Sequence, residues 1–209
     1  MASATSSVPS ASVPGPDAPH LPDTARDLVK ILITGPFGVG KTTLIDSVSE
    51  IRPLHTEERL TEASAQVDDL EGVREKTTTT VAIDFGRISL PHGIVLYLFG
   101  TPGQERFRPL WDDIAYGALG ALVLVDSRRV DASFDVLGLV EESGLPYAVA
   151  FNVFPDAPRQ HSEEQLRRAL DLEAGTPMVA CDARERNSSV DALLALVQHL
   201  IDRDRPESR

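Results

Sequence analysis

Cysteine and long apolar runs are what this chain has least of. It contains a single cysteine, Cys181, among 209 residues, so an internal disulfide and a cysteine-ligated metal cluster are excluded. The lone thiol suits a reducing compartment, and we expect Cys181 to be a small packed residue. No apolar run approaches the length of about 18 residues that a membrane span needs, and the chain starts without a basic, hydrophobic leader. We therefore predict a cytoplasmic protein, which only a partner would recruit to a membrane.

Positive charge is also scarce. Lys and Arg number 20 against 32 Asp and Glu, which gives a formal net charge of −12 at pH 7. Non-specific nucleic-acid binding and docking on an anionic membrane both depend on Lys and Arg neutralising phosphates, so neither is expected. Binding of a small nucleotide is not excluded, since a phosphate loop uses local backbone dipoles and one lysine. The remaining composition, 42% hydrophobic and 25% charged, is ordinary for one globular domain.

Large apolar side chains are nearly absent from both ends of the chain. Residues 1–26 consist mainly of Pro, Ser and Ala, a composition that cannot bury enough surface to offset the entropy of ordering. We expect a disordered tail over 1–26, one folded domain over 27–203 and a frayed C-terminus over 204–209.

What the chain does contain is a phosphate-binding loop. Residues 35–42 read GPFGVGKT and match G-x-x-x-x-G-K-[ST], the pattern whose backbone N–H groups surround phosphate oxygens. In this pattern Lys41 contacts the β- and γ-phosphates, and Thr42 offers a hydroxyl to Mg²⁺. An apolar strand precedes the loop and a helical pattern follows it, the order that places an anion at a helix N-terminus. The predicted phosphate-binding residues are Gly35, Gly38, Val39, Gly40, Lys41, Thr42 and Thr43.

The rest of the domain alternates between strand and helix patterns. Six strands are predicted at 28–34, 79–90, 94–99, 121–125, 147–151 and 177–180, and helices near 42–50, 106–118, 133–142, 163–172 and 190–202. The second and third strands are too close for a crossover and must form an antiparallel hairpin. The fourth helix begins with a capping-box spacing, Ser162 to Gln165. The long segment 51–78 interrupts the pattern, and we interpret it as regulatory.

This order of elements resembles the small GTPase domain of the Ras-like superfamily. The resemblance implies an α/β P-loop fold: a six-stranded, mostly parallel sheet with one antiparallel edge strand and helices on both faces. Residues 76–85, KTTTTVAIDF, resemble switch I, in which a threonine senses Mg²⁺ and the γ-phosphate. Alignment with Rab-type strands favours Thr80. Comparison with the R-x-K-T of heterotrimeric G-protein α subunits favours Thr77 and makes Arg74 a built-in arginine finger, while a third interpretation is that the threonines only favour a strand.

Residues 99–107, FGTPGQERF, resemble switch II and its D-x-x-G-Q signature. The resemblance implies that Gly103 donates its N–H to the γ-phosphate and that Gln104 orients the attacking water. The aromatic residues that follow, Phe107 and Trp111, either belong to a partner surface or pack the second helix onto the sheet.

Two further segments resemble guanine-binding motifs. Asn152 follows an apolar strand where the family has N-K-x-D, with Asp156 as the displaced acid, and Ala183 lies in residues 181–184, CDAR, where the family has S-A-K. The chain is most similar to the D-component GTPases of bacterial conservon operons, relatives of the MglA-type polarity GTPases. That resemblance implies GTP or GDP with Mg²⁺ as cofactors, and Thr42 and Thr80 as metal ligands. It also implies two partners, a roadblock-domain regulator and a membrane-associated sensor kinase-like protein.

Three positions depart from the family pattern. Gly100 stands where an aspartate holds Mg²⁺ through water, Phe37 occupies a loop position that is small in most small GTPases, and Val153 replaces the lysine that stacks on the purine. Three functions therefore remain open: a GTP-dependent signalling switch with slow hydrolysis, a pseudo-GTPase that binds without turnover, and a P-loop enzyme that uses ATP.

Overall fold

Within the residues that are described, the protein forms a sheet of seven strands. The structure is a computed structural model that describes residues 21, 25–61, 78–102, 110–154 and 161–204. In sheet order the strands are β2 (Leu54–Thr61), β3 (Thr78–Ser89), β4 (Ile94–Gly100), β1 (Asp27–Thr34), β5 (Gly120–Asp126), β6 (Tyr147–Asn152) and β7 (Met178–Cys181). Strand β3 is antiparallel to both β2 and β4, and the pairs from β4 through β1 to β7 are parallel.

Helices cover both faces of the sheet. They are α1 (Lys41–Val48), α2 (Trp111–Ala115), α3 (Phe134–Glu142), α4 (Glu163–Ala169) and α5 (Arg186–Asp204). The core on one face includes side chains of α1 and α5, and the core on the other includes side chains of α2, α3 and α4. Among the helices in the described part of the chain, none is long and apolar enough to cross a membrane.

Strand β1 shows how the two cores arise. Ile31 and Ile33 belong to the core beneath α1 and α5, whereas Leu32 belongs to the opposite core, because successive side chains of a strand point to opposite faces. All three are fully buried, and burial of each such side chain contributes about 1.5–3 kcal/mol. Trp111 is also buried and packs α2 onto the sheet, and Cys181 is a buried free thiol, as predicted.

A helix is present in each of the five regions where the sequence predicted one, but the residues at which several of these helices begin or end differ from the prediction. The predicted capping box is confirmed: the Gln165 N–H donates to Ser162 Oγ, and the Ser162 N–H donates to Gln165 Oε1. Helix α5 starts at Arg186, earlier than the predicted start near 190. Helix α2 is limited to Trp111–Ala115, and the first residues predicted for it lie outside the described residues.

The segment 51–78, interpreted as a regulatory connection, contains strand β2, which the sequence prediction missed. β2 pairs with β3 from Leu54 opposite Phe85 to Thr61 opposite Thr78. Its sequence, LHTEERLT, has too few apolar residues for the alternation that identifies a half-buried strand. Charged residues are common in such edge strands because they discourage pairing with another chain. The α/β fold class is confirmed, but β3 is an interior strand and not the predicted edge strand.

A buried ion pair attaches the end of α1 to β3. Arg87 Nε donates to Glu50 Oε1 at 2.7 Å, and the Ser89 N–H donates to Glu50 Oε2 at 3.0 Å. The Glu50 N–H also donates to the Arg87 carbonyl oxygen at 2.8 Å. Only 5% of the Arg87 side chain and 3% of the Glu50 side chain are exposed. These bonds hold α1 in a defined position against the strand that carries Asp84.

Candidate nucleotide site

The predicted phosphate loop lies between β1 and α1, where the parallel strands end. Ligands of open parallel α/β sheets bind outside these carboxyl ends. Gly40 has a left-handed φ of 107°, and a Cβ there would lie 2.8 Å from the Asn152 amide nitrogen. Gly35 has a φ of 145°, and its Cβ would lie 2.5 Å from the Leu124 carbonyl oxygen. The path of the loop therefore requires glycine at both positions.

The loop leads into the N-terminus of α1. The first N–H groups of a helix have no acceptor within the helix, and the helix dipole adds partial positive charge there. Lys41, Thr42 and Thr43 form this first turn, and it contains no acidic residue. Thr42 and Thr43 are exposed, so a ligand has access to them. This geometry is suited to binding a phosphate group.

The Lys41 side chain is directed into the loop. Its Nζ donates to the carbonyl oxygens of Gly35 at 2.8 Å and Pro36 at 3.0 Å. Burial lowers the pKa of Lys41 from 10.5 to about 8, and the negative charge of Asp84 acts in the opposite direction. The ammonium group is therefore desolvated and bonded to neutral acceptors, and phosphate oxygens would be stronger partners for it.

Asn152 connects the phosphate loop to the segment after β7. Asn152 Nδ2 donates to the Val39 carbonyl oxygen at 2.8 Å, and the Ala183 N–H donates to Asn152 Oδ1 at 3.1 Å. Asn152 is 4% exposed, so both hydrogen bonds are shielded from water. The two segments that resemble guanine-binding motifs are therefore adjacent to each other and to the phosphate loop.

The surface next to Asn152 differs from the family pattern. Val153, which replaces the family's lysine, packs against the core on the α3 and α4 side of the sheet. The Arg128 guanidinium lies 3.5 Å from the centroid of the Phe154 ring, a cation–π contact. After β7, the Arg184 guanidinium donates to Asp182 Oδ1 at 2.9 Å and to Asp182 Oδ2 at 2.6 Å, and these bonds lower the pKa of that carboxyl. Arginine and aromatic groups therefore stand near the place where the family has a lysine.

A chain of polar contacts extends from α1 across β3 to β2. Thr42 Oγ1 donates to Asp84 Oδ2 at 2.5 Å, and His55 Nδ1 donates to Asp84 Oδ1 at 2.8 Å. His55 also lies 3.7 Å from Asp46. The hydrogen bond that His55 donates to Asp84 raises the pKa of His55. Sequence reasoning assigned a role to neither Asp84 nor His55, although a lone carboxylate between Ile83 and Phe85 in a predicted strand was an available signal.

Other predicted site residues do not lie in this group. The backbone of Thr80 lies within β3, opposite Arg59 of β2. At a strand rise of about 3.3 Å per residue, its Cα is about 13 Å along the strand from that of Asp84. The following predicted residues lie outside the described part of the chain: Arg74, Thr77, Gly103, Gln104 and Asp156. Their proposed roles stay predictions.

The fold and the phosphate loop define a P-loop nucleotide-binding domain of the Ras-like type. The cytosolic domain of L. pneumophila FeoB has a similar structure, with a TM-score of 0.55 and 20% identity over 82% of this chain and 70% of that chain. The cytosolic domain of the T. maritima FeoB iron transporter in a GDP form has a TM-score of 0.60 and 17% identity over 87% of this chain and 67% of that chain. At these identities the likeness is one of fold.

The chain belongs to the family described as conserved hypothetical ATP binding protein, whose model matches residues 33–203. The uncharacterized protein MJ1339 of Methanocaldococcus jannaschii is 30% identical over 129 residues, which cover 61% of this chain and 71% of that protein. The Ras-related protein Rab-11C of Dictyostelium discoideum is 31% identical over 107 residues, 50% of this chain but only 39% of its own length. The sequence relationship to a Ras-related protein agrees with the Ras-like fold.

Proposed function

We propose that the chain is a small GTP-binding protein that acts as a nucleotide-dependent signalling switch with slow GTP hydrolysis. The observation that carries the proposal is the position of Asn152, which is hydrogen-bonded to the phosphate loop through Val39 and to the opposite segment through Ala183. These are the two segments that resemble guanine-binding motifs, and a base bound at their junction would lie next to phosphates held at α1. The relationship to Rab-11C supports a guanine nucleotide.

Mg²⁺ is implied by the Ras-like fold, and the groups beside the loop fit it. Mg²⁺ prefers oxygen ligands, and the Thr42 hydroxyl and the Asp84 carboxylate meet next to the first turn of α1. The resemblance also implies Thr80 as a ligand, but the backbone of Thr80 lies about 13 Å along β3 from that of Asp84, so this structure does not bring Thr80 to the Thr42 and Asp84 oxygens. When bound, the ion would neutralise negative charge on the phosphate oxygens.

Slow hydrolysis is proposed from the loop and the switch segments. The resemblance implies that Gln104 orients the attacking water. It also implies that switch I is completed either by Thr80 or by Thr77 together with Arg74. Phe37 is 69% exposed at the phosphate loop, and a ring in this position would obstruct an arginine finger supplied by another protein. Without such a finger the intrinsic rate of a Ras-like site is low.

The nucleotide preference is tested by competition. A fluorescent GDP analogue bound in Mg²⁺ is titrated with GTP, GDP and ATP, and again in EDTA. We expect GTP and GDP to displace it at concentrations roughly tenfold or more below ATP, since a site that hydrogen-bonds the base rejects a base with other donors and acceptors. Stronger displacement by ATP would overturn the guanine assignment and favour the ATP-using alternative, which the description of the family supports.

Single-turnover hydrolysis separates a working switch from a pseudo-GTPase. We expect Gln104→Ala to lower the rate about 100-fold, the loss that follows when a reactant is misplaced by about 1 Å. Nucleotide affinity should stay within about threefold of wild type, because a water-orienting residue acts on the chemical step. Gln198→Ala is the matched control, since Gln198 lies on α5 and bonds to Asp202. Equal rates for wild type and Gln104→Ala would favour the pseudo-GTPase.

The closer relationship, to the D-component GTPases of conservon operons and the MglA-type GTPases, is part of this proposal and rests on the sequence resemblance. It implies that a roadblock-domain protein acts on the switch segments and that a membrane-associated sensor kinase-like protein belongs to the same signalling set. The hydrolysis assay with an added roadblock-domain protein tests the first partner, and an unchanged rate would count against it.

A further inference from the structure

The first turn of α5 contacts the last residues of α1. Arg186 Nη1 donates to the Val48 carbonyl oxygen at 2.7 Å and to the Ser47 carbonyl oxygen at 3.2 Å. The last carbonyl groups of a helix have no partner within the helix and carry partial negative charge, so a guanidinium group stabilises them. The last turn of α1 contains no basic residue of its own. Arg186 therefore holds the start of α5 against the helix that begins at the phosphate loop.

A buried serine adds a second contact between the same two helices. Ser189 Oγ lies 3.1 Å from Ser47 Oγ, within hydrogen-bond distance, and Ser189 is completely buried. Ser189 Oγ also lies 3.4 Å from the Ala183 carbonyl oxygen. Polar contacts that are shielded from water are stronger than exposed ones. The start of α5 is therefore fixed relative to α1 by both Arg186 and Ser189.

Ser188 connects this fixed turn to the segment that follows β7. The Asp182 N–H donates to Ser188 Oγ at 2.9 Å. Asp182 belongs to residues 181–184, one of the two segments that resemble guanine-binding motifs. Outside helices and strands, a backbone N–H group depends on a side chain or water for its hydrogen bond. The short Ser188 side chain on a fixed helix therefore determines where this part of the segment lies.

These contacts close a ring of hydrogen bonds around the proposed nucleotide site. On one side, Asn152 bridges Val39 of the phosphate loop and Ala183. On the other side, α5 bridges the segment 181–184 and α1, and α1 begins where the phosphate loop ends. A polar network whose members all have partners rigidifies the groups that it joins. The segment 181–184 is therefore held at a defined distance from the phosphate loop.

We propose that Ser188 is a positioning residue for base recognition, because from the first turn of α5 it fixes residues 181–184 beside Asn152, where the base binds. This inference rests on the proposed nucleotide-binding function and adds to it a residue that lies outside the nucleotide-binding motifs. The phosphates bind at the phosphate loop and the start of α1. Loss of the Ser188 hydroxyl group should therefore weaken binding of the base and leave binding of the phosphates unchanged.

The test compares GDP with inorganic pyrophosphate, which carries phosphates without a base. Both compete against the fluorescent GDP analogue in Mg²⁺, and each dissociation constant is corrected for the affinity of the variant for the analogue. In Ser188→Ala the dissociation constant of GDP should rise about 5- to 30-fold, the loss expected when an N–H group loses its partner. The dissociation constant of pyrophosphate should stay within about twofold of wild type, since the loop that binds it is unchanged.

Two further variants distinguish positioning of the base segment from a general loss of structure. Ser188→Thr keeps the hydroxyl group and should bind GDP within about threefold of wild type. Ser143→Ala is the matched control, because Ser143 Oγ donates to the Val140 carbonyl oxygen at 2.7 Å at the end of α3, before β6 begins. It should change neither dissociation constant. A thermal melt of each variant establishes that it is folded.

The outcomes separate this inference from the function on which it rests. Binding of GDP by Ser188→Ala within about twofold of wild type would overturn the role of Ser188. Equal losses for GDP and pyrophosphate would also overturn it, because Ser188 would then support the whole site. So would a Ser188→Thr variant as weak as Ser188→Ala. If the wild-type protein bound neither GDP nor pyrophosphate, with or without Mg²⁺, the proposed function itself would fail, and the inference with it.

Discussion

Replacement of Lys41 by alanine should weaken nucleotide binding about 30-fold to several-thousand-fold. The change removes one partner of a charged, desolvated contact with phosphate, a loss of roughly 2–5 kcal/mol. Lys41 is suited to this contact because its ammonium group already lies inside the loop, 2.8 Å from the Gly35 carbonyl oxygen. Titration of the fluorescent GDP analogue in Mg²⁺ measures the effect.

Lys30→Ala is the matched control for this substitution. Lys30 lies on β1 and donates to the Tyr116 carbonyl oxygen at 2.7 Å, away from the phosphate loop. We expect its affinity for nucleotide to stay within about threefold of wild type, since surface charges outside a site contribute little. If Lys41→Ala and Lys30→Ala bound the nucleotide equally well, residues 35–42 would not be its phosphate site.

The lowered pKa of Lys41 gives the same prediction a pH dependence. Because its pKa is about 8, the side chain of the free protein loses its charge as the pH rises above 8, and nucleotide affinity should fall there. The effect on stability has the opposite sign. Between about pH 8 and the unfolded value of 10.5 the unfolded chain binds more protons, so the free energy of unfolding should gain a contribution that rises with pH. The pH dependence of nucleotide affinity and the pH-dependent contribution to the free energy of unfolding should both be absent from Lys41→Ala.

Replacement of Glu50 by alanine should lower the free energy of unfolding by about 3–5 kcal/mol, the usual cost of breaking a buried ion pair. The substitution removes the carboxylate from beside the Arg87 guanidinium and from the Ser89 N–H. Both members of the pair are almost fully buried, so water cannot replace the lost partner. For a domain of this size the midpoint of thermal unfolding should fall by roughly 6–20 °C.

Urea unfolding of Glu50→Ala and of Glu164→Ala compares a buried pair with an exposed one. Glu164 lies 3.9 Å from Arg168 on α4, and both side chains are more than two-thirds exposed, at 80% and 71%. Such a surface pair contributes about 0–1 kcal/mol, so Glu164→Ala should unfold close to the wild-type urea concentration. Equal midpoints for the two variants would contradict the assigned importance of the Glu50 pair.

Features with local causes could be predicted from the sequence. The phosphate loop depends on glycines at particular positions and on the start of a helix, and both are visible in the run from Gly35 to Thr43. The capping box of α4 depends on two residues, Ser162 and Gln165, one helical turn apart. The antiparallel β3–β4 pair depends on a connection too short for a crossover. In each case the interacting residues are close in the chain.

Strand β2 and the contact between His55 and Asp84 could not be predicted from the sequence in the same way. β2 has few apolar residues, and its backbone pairing with a strand some twenty residues later is a non-local interaction. His55 contacts Asp84 only because this pairing places it there. The sequence pattern shows which residues are polar, but it does not show which of them meet.

By itself, the sequence determined that the chain has a phosphate loop of the Ras-like kind and that Gly100 stands where an aspartate is usual. Only the tertiary structure decided that Asp84 fills the space beside Gly100 and bonds to Thr42. The physical reason is that the loop is built from consecutive backbone groups, whereas the position of a carboxylate beside Thr42 depends on strand register and on the packing of α1 against β3.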